Sequence, residues 1–265
     1  MLNPLAQELN ETLRGSVVEA LMSDMGKRMY FPNGIISQGG EAAKDAYFAN
    51  GTIGMAVAEK TPIELDSYKK IMPDLNPRET VAYEKTAGNP ELRKIWKDKL
   101  LEKNPSLKDK QISLPILVPG LTAALSYVAD LFVDENKPLL AADPCWDNYE
   151  LIACARRGAE FHQFKCFDEK GLNLADLEKT MKEEAEKYGS VRVILNFPQN
   201  PSGYSPTKDE VQKITKIVKD IAESGKQVLV LSDDAYFGLN YEDDIEPQSL
   251  FAYMADLHEN VLAIK

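Results

Sequence analysis

From about residue 90 onward the chain alternates short apolar runs with amphipathic stretches, and that alternation limits its fold more than any other feature. Runs at 112–118, 139–142, 160–164, 191–195, 228–231 and 261–264 read as strands, most of them apolar throughout, as strands covered on both faces are. Helical periods lie between them at 91–101, 121–132, 148–156, 174–188 and 208–223. Their ends carry matching punctuation. Asn89 is placed to cap and Pro90 to fill the first turn of the first helix, and Gly158 and Gly225 close two later ones. Repeats of this kind give an α/β fold: a mostly parallel, doubly wound sheet with helices on both faces. In such sheets ligands sit at the carboxyl ends of the strands.

Residues 1–60 read differently. One or two amphipathic helices are expected within 4–29, broken at Gly15 and Gly26, followed by a loop-rich stretch through Gly39 and Gly40. The expected organisation is an N-terminal arm with part of a small domain over 1–60, then an incomplete large domain over 61–265.

A chain of 265 residues with 44% hydrophobic and 28% charged content has an ordinary globular composition. Its formal net charge of −11 repels the phosphates of nucleic acid and an anionic membrane surface. Two histidines cannot build a histidine-rich metal site. Three cysteines (Cys145, Cys154, Cys166), an odd count without a Cys-x-x-Cys pair, read as reduced, mostly buried thiols. The first residues lack a basic region followed by an apolar run, and no stretch is apolar enough to span a bilayer. The expectation is a cytoplasmic protein with neither nucleic-acid nor membrane partners.

The residues able to carry chemistry collect at predicted strand ends. Asn196-Phe-Pro-Gln-Asn200-Pro-Ser-Gly203 follows the 191–195 run, and Leu231-Ser-Asp233-Asp-Ala-Tyr236 ends the 228–231 run. An Asn-Pro turn, an acid and a phenol on one rim describe a pocket for a flat, polar, heteroaromatic ligand. Taken singly, Asp233 is equally a turn cap, and Asn200-Pro201 an ordinary loop pair whose peptide bond is of the kind that turns cis. Pro119-Gly120-Leu121-Thr122 precedes a helix and is either a tight turn or an anion site on the helix N-terminus. In Asp143-Pro-Cys-Trp146-Asp-Asn148-Tyr149, Trp146 is either core or an aromatic face for a ring.

In order and spacing these four pieces resemble the pyridoxal-phosphate (PLP) dependent class I/II aminotransferases of fold type I, in the aspartate and aromatic branch. The resemblance runs from about Thr80 to Lys265 and is weak over the first sixty residues. It implies the large-domain fold of those enzymes and a PLP site. Gly120, Leu121 and Thr122 would hold the phosphate and Trp146 would stack on the ring. Asp233, rather than its neighbour Asp234, would keep the pyridine nitrogen protonated, so that the ring can act as electron sink. Asn200 and Tyr236 would bond the phenolic oxygen. Tyr83 resembles the tyrosine that reaches the phosphate of a partner subunit's cofactor, which implies a homodimer. The stretch Asn50-Gly-Thr-Ile53-Gly54 resembles, loosely, one that lies over the substrate carboxylate. The implied reaction moves an amino group from an amino acid to a 2-oxo acid.

Such enzymes need a lysine that forms an imine with PLP and shuttles a proton, and arginines for the cofactor phosphate and the substrate carboxylate. That lysine is expected beyond Lys265, so the chain reads as truncated before it and as having little or no transaminase activity by itself. Lys265 as the imine-forming residue is the competing reading. A PLP-dependent β-lyase on the same fold and a non-catalytic PLP- or amino-acid-sensing domain are the rival functions, the latter disfavoured by the lack of a basic DNA-binding segment.

Overall fold

The computed structural model describes residues 2–15, 19, 24–30, 32, 34–52, 57–58, 61–62, 65–71, 74–75, 85–169 and 171–265. They fall into two compact units, Met1–Tyr30 with Pro90–Lys265, and Phe31–Asn89; the boundary expected at residue 60 lies inside the second.

The second unit holds helices Ile35–Asp45 and Asp66–Ile71 and a short antiparallel pair, β1 (Val57–Ala58) and β2 (Thr61–Pro62). Gly39 and Gly40, expected in a loop, sit inside the first of these helices. Each glycine there costs about 1 kcal/mol of helix propensity. Good helix formers on the C-terminal side, Glu41-Ala-Ala-Lys44, help offset that cost.

The larger unit is built on a five-stranded parallel sheet. Its strands are β3 (Leu139–Asp143), β4 (Phe161–Lys165), β7 (Ser190–Asn196), β8 (Gln227–Asp233) and β9 (Val261–Ile264), in the order β4-β3-β7-β8-β9. A small hairpin, β5 (Phe167–Asp168) with β6 (Gly171–Leu172), follows β4. Because successive side chains alternate between faces, the sheet has two cores. Val191, Val193, Val228 and Val230 pack under helices Leu174–Tyr188 and Lys208–Glu223. Ile194 and Leu231 pack on the other face with helix Leu121–Phe132 and the helix that starts at Asn148. That last helix begins as α over Asn148–Glu150 and widens to π geometry over Leu151–Arg156.

Three helices stand where their capping signals put them. Lys208–Glu223 opens on a capping box in which Thr207 and Glu210 satisfy each other's backbone amides. Leu174–Tyr188 is capped by Asn173 and closed by Gly189 at φ 72°. Leu121–Phe132 starts after Gly120, at φ 94°.

The expected strand at 112–118 is absent; these residues belong to no regular element. Pro115 has no N–H to donate to a ladder. The carbonyls of Ile112 and Pro115 instead accept from Lys97 and Arg93 of helix Pro90–Lys103. Gly26 does not break its helix either, lying within Asp24–Arg28, and Arg28 of that helix donates to the Ala155 carbonyl. Among the described residues no helix is long and apolar enough to cross a membrane.

Candidate functional site

The topology itself marks one crevice. From β3 the chain steps outward to β4, then crosses back past β3 to β7. Connections therefore diverge between β3 and β7, and in parallel sheets such a switch point opens a cleft outside the carboxyl ends. Asp143 and Asn196 end the two strands there, and Asn196 stands opposite Asp233 in the register of β7 with β8.

Asp233 shares the sheet face of Leu231 and is 2% exposed. Its Oδ2 accepts from the Tyr149 hydroxyl at 2.5 Å, and its Oδ1 from the Ala235 N–H at 3.1 Å. Burial pushes its carboxyl above the ordinary range, the two donors pull it back, and the neighbouring Asp234 adds a smaller upward push. The Tyr149 phenol is pushed up further, by burial first and by Asp233 second. The shared proton therefore stays on the phenol, and Asp233 is the acceptor.

Trp146 lies three residues before Tyr149, just ahead of the helix that starts at Asn148. The Tyr149 N–H bonds the Trp146 carbonyl at 3.1 Å, and the two rings meet edge to face, 5.7 Å between centroids at 89°. Trp146, half-buried, packs on the core beneath this face.

Two buried amides knit the loops together. Asn196 donates to the Asp233 carbonyl at 2.9 Å and accepts from the Asn200 N–H at 2.8 Å. Gln199 donates to the Pro144 carbonyl at 2.6 Å, and its Oε1 accepts from the Ser202 N–H at 2.9 Å. The Asp143–Pro144, Phe197–Pro198 and Asn200–Pro201 peptides are all cis, the last as its motif suggested. The Asn200 carboxamide itself has no hydrogen-bond partner among the described residues, which leaves it free to meet a ligand.

The Gly120 turn reaches the same edge by elementary geometry. Helix Leu121–Phe132 packs on the Asp233 face and leads through a turn at 134–137 straight into β3. Its C-terminus is thus at the amino edge of the sheet. At 1.5 Å per residue its 12 residues span about 18 Å, roughly a strand's length, which returns its N-terminus to the carboxyl edge. The opening amides have no intrahelical acceptor, and nothing lies within 4 Å of where a Cβ on Gly120 would be.

Residues 56–263 match the family described as Aminotransferase class I and II. The chain belongs to this family. A probable aspartate/prephenate aminotransferase of Rhizobium leguminosarum bv. phaseoli is 29% identical over 212 residues, 74% of this chain and 48% of that protein. An aspartate aminotransferase of Sulfurisphaera tokodaii is 27% identical over 163 residues, 60% of this chain and 38% of that protein. Among solved structures, an aminotransferase from Anaerococcus prevotii shares the fold with a TM-score of 0.79 at 23% identity, over 92% of this chain and 61% of that one. The chain spans about half or less of the length of the curated relatives it matches.

On this aminotransferase chain Tyr236 stands beyond Asp233 at 42% exposure, close enough to Tyr149 to add to the upward push on its phenol. Tyr83, Ile53 and Gly54 lie outside the described residues. Asn50 closes a local turn by accepting from the Thr52 N–H and hydroxyl. Lys265 pairs with Asp234, and its Nζ stands 4.3 Å from the centre of the Phe237 ring. Three residues to which sequence reasoning assigned no task do much of the holding: Tyr149, Asn196 and Gln199. The available signal was their position, three residues past Trp146 for Tyr149 and on either side of Pro198 for the two amides.

Proposed function

We propose that this aminotransferase chain holds PLP in the crevice at the carboxyl edge of its sheet, and that the whole protein moves an amino group from an amino acid to a 2-oxo acid. The relatives named for aspartate and prephenate, together with the resemblance around Trp146, support the aspartate or aromatic type. Work as a homodimer in the cytoplasm, with Tyr83 reaching the partner's site, belongs to the same reading.

The observation that carries the proposal is the buried Asp233, an acceptor held at the cleft edge. The surrounding donor set fits PLP group by group. When bound, the pyridinium ring withdraws electrons from the substrate's α-carbon. Asp233 accepts the ring N–H and so keeps that proton in place. Asn200 and Tyr236 offer donors to the phenolic oxygen, and Trp146 covers one ring face and excludes water there. The free amides of Leu121 and Thr122, the Thr122 hydroxyl and the open space over Gly120 suit a phosphate.

We assign imine formation to a lysine other than Lys265. By strand alternation Lys265 shares a face with Val261 and Ala263, opposite to Asp233, and its amine is engaged by Asp234. The test is a titration of the purified chain with PLP, followed by absorbance and ligand fluorescence. Saturable binding that Asp233→Ala weakens at least tenfold is expected, and borohydride reduction followed by peptide mapping should leave Lys265 unmodified. A flat titration overturns the proposal.

A further inference from the structure

Asp233 has few ways to face a ligand, and one side chain selects among them. A carboxylate oxygen has two lone-pair positions. Oδ1 spends one on the Ala235 N–H, an interaction within its own loop. Oδ2 is taken from across the fold, 84 residues away in sequence, by the Tyr149 hydroxyl. Tyr149 is 2% exposed, its ring belongs to the core cluster that holds Ile152, Ile194 and Leu231, and it meets the Trp146 ring edge to face. A buried ring packed in this way holds its hydroxyl on Asp233.

We infer that Tyr149 is the positioning residue of this site: by holding Oδ2 it fixes the rotation of the Asp233 carboxylate, so that a lone pair left on its oxygens is presented to the crevice and to the ring that Trp146 would cover. The inference rests on the PLP reading given above. The turn that leads into the helix at Asn148 links the ring's cover to the anchor of its acid, through the Tyr149 N–H bond to the Trp146 carbonyl. The Tyr149 hydroxyl bond also keeps a buried carboxylate charged. Without it Asp233 would be left with the Ala235 amide alone against burial and the adjoining charge of Asp234, whose own partner is Lys265. The other titratable groups around the pair are Tyr236, on the Asp233 loop, and Cys145, on the Pro144 loop.

The experiment uses the full 265-residue chain and three variants, Tyr149→Phe, Asp233→Asn and the double substitution. Phenylalanine keeps the buried ring, so the fold is expected to survive. Two measurements are made. Carbon-13 NMR of the aspartate carboxyls, with the Asp233 signal identified by its loss in Asp233→Asn, follows titration without ligand. Equilibrium dialysis measures PLP affinity. The expected result is an upward move of the Asp233 titration in Tyr149→Phe, and about tenfold weaker PLP binding that vanishes when Asp233 is already asparagine. An unmoved titration overturns the inference, as does an equal loss of affinity in both backgrounds, which would mark Tyr149 as mere packing. If the unsubstituted chain binds no PLP while the titration still moves, the PLP reading fails and the positioning role with it, leaving only a structural hydrogen bond.

Discussion

Asn196 is the point at which a single side-chain deletion should unfasten the site. It is 7% exposed and makes two hydrogen bonds, to the Asp233 carbonyl at 2.9 Å and from the Asn200 N–H at 2.8 Å. In Asn196→Ala both backbone groups lose their partner. The carbonyl belongs to a residue 2% exposed, out of reach of water, and an unmet buried acceptor costs about 1–3 kcal/mol. Asn200 is half-buried, so its amide recovers part of its loss from solvent, leaving about 1 kcal/mol. The sum is roughly 2–4 kcal/mol. At this chain length that corresponds to a melting shift of about 5–15 °C. Urea unfolding followed by circular dichroism measures the free energy, and PLP dialysis measures the site. Affinity should fall together with stability, because the Asn200 turn is no longer tied to β8. Asn196→Asp should be worse at neutral pH, since it removes the donor and sets a second buried carboxylate beside Asp233. A cost of Asn196→Ala below about 0.5 kcal/mol with unchanged affinity would refute the reasoning.

Other outcomes follow from the same structure. Thr207→Ala removes the capping-box oxygen that accepts the Glu210 N–H and should cost about 1–2 kcal/mol, read from urea midpoints; Thr207→Ser should restore most of it. Ile214→Ala empties a fully buried position under β7 and β8 and should cost about 2–5 kcal/mol. The raised Asp233 carboxyl has a definite sign in pH. The folded chain keeps that proton to higher pH than the unfolded chain does, so this group lowers stability as pH rises above the ordinary aspartate range near 4. Asp233→Asn should therefore gain stability relative to the parent as pH is raised from about 4 to 7; a pH-independent difference between the two curves would contradict this.

Much of this fold is legible residue by residue. Helices 121–132, 174–188 and 208–223 and strand 261–264 stand where period and caps put them, because apolar spacing and a capping side chain act within a few residues of sequence. The failures are non-local. Residues 112–118 have the apolar content of a strand, but pairing needs a partner and a donor at position 115, and Pro115 supplies none. Gly39 and Gly40 read as loop on propensity, yet they are held within a helix.

The division is the same at the site. The residue types at the strand ends were open to inspection: an acid at the end of β8, an Asn-Pro turn after β7, a glycine before a helix and a tryptophan after β3. The strand-helix alternation was enough to indicate a mostly parallel sheet, and the order of these pieces was what carried the family resemblance. The resemblance favoured Asp233 over Asp234, but only the tertiary structure shows their surroundings: Asp233 is buried on the face of Leu231 and Asp234 is paired with Lys265, since a β-strand's side chains alternate and a shift of one residue would exchange the two. It likewise paired Lys265 with Asp234, and it brought Tyr149 across 84 residues onto Asp233. Contacts of that kind depend on strand register and helix packing, which are settled by the whole core and by no local stretch of chain.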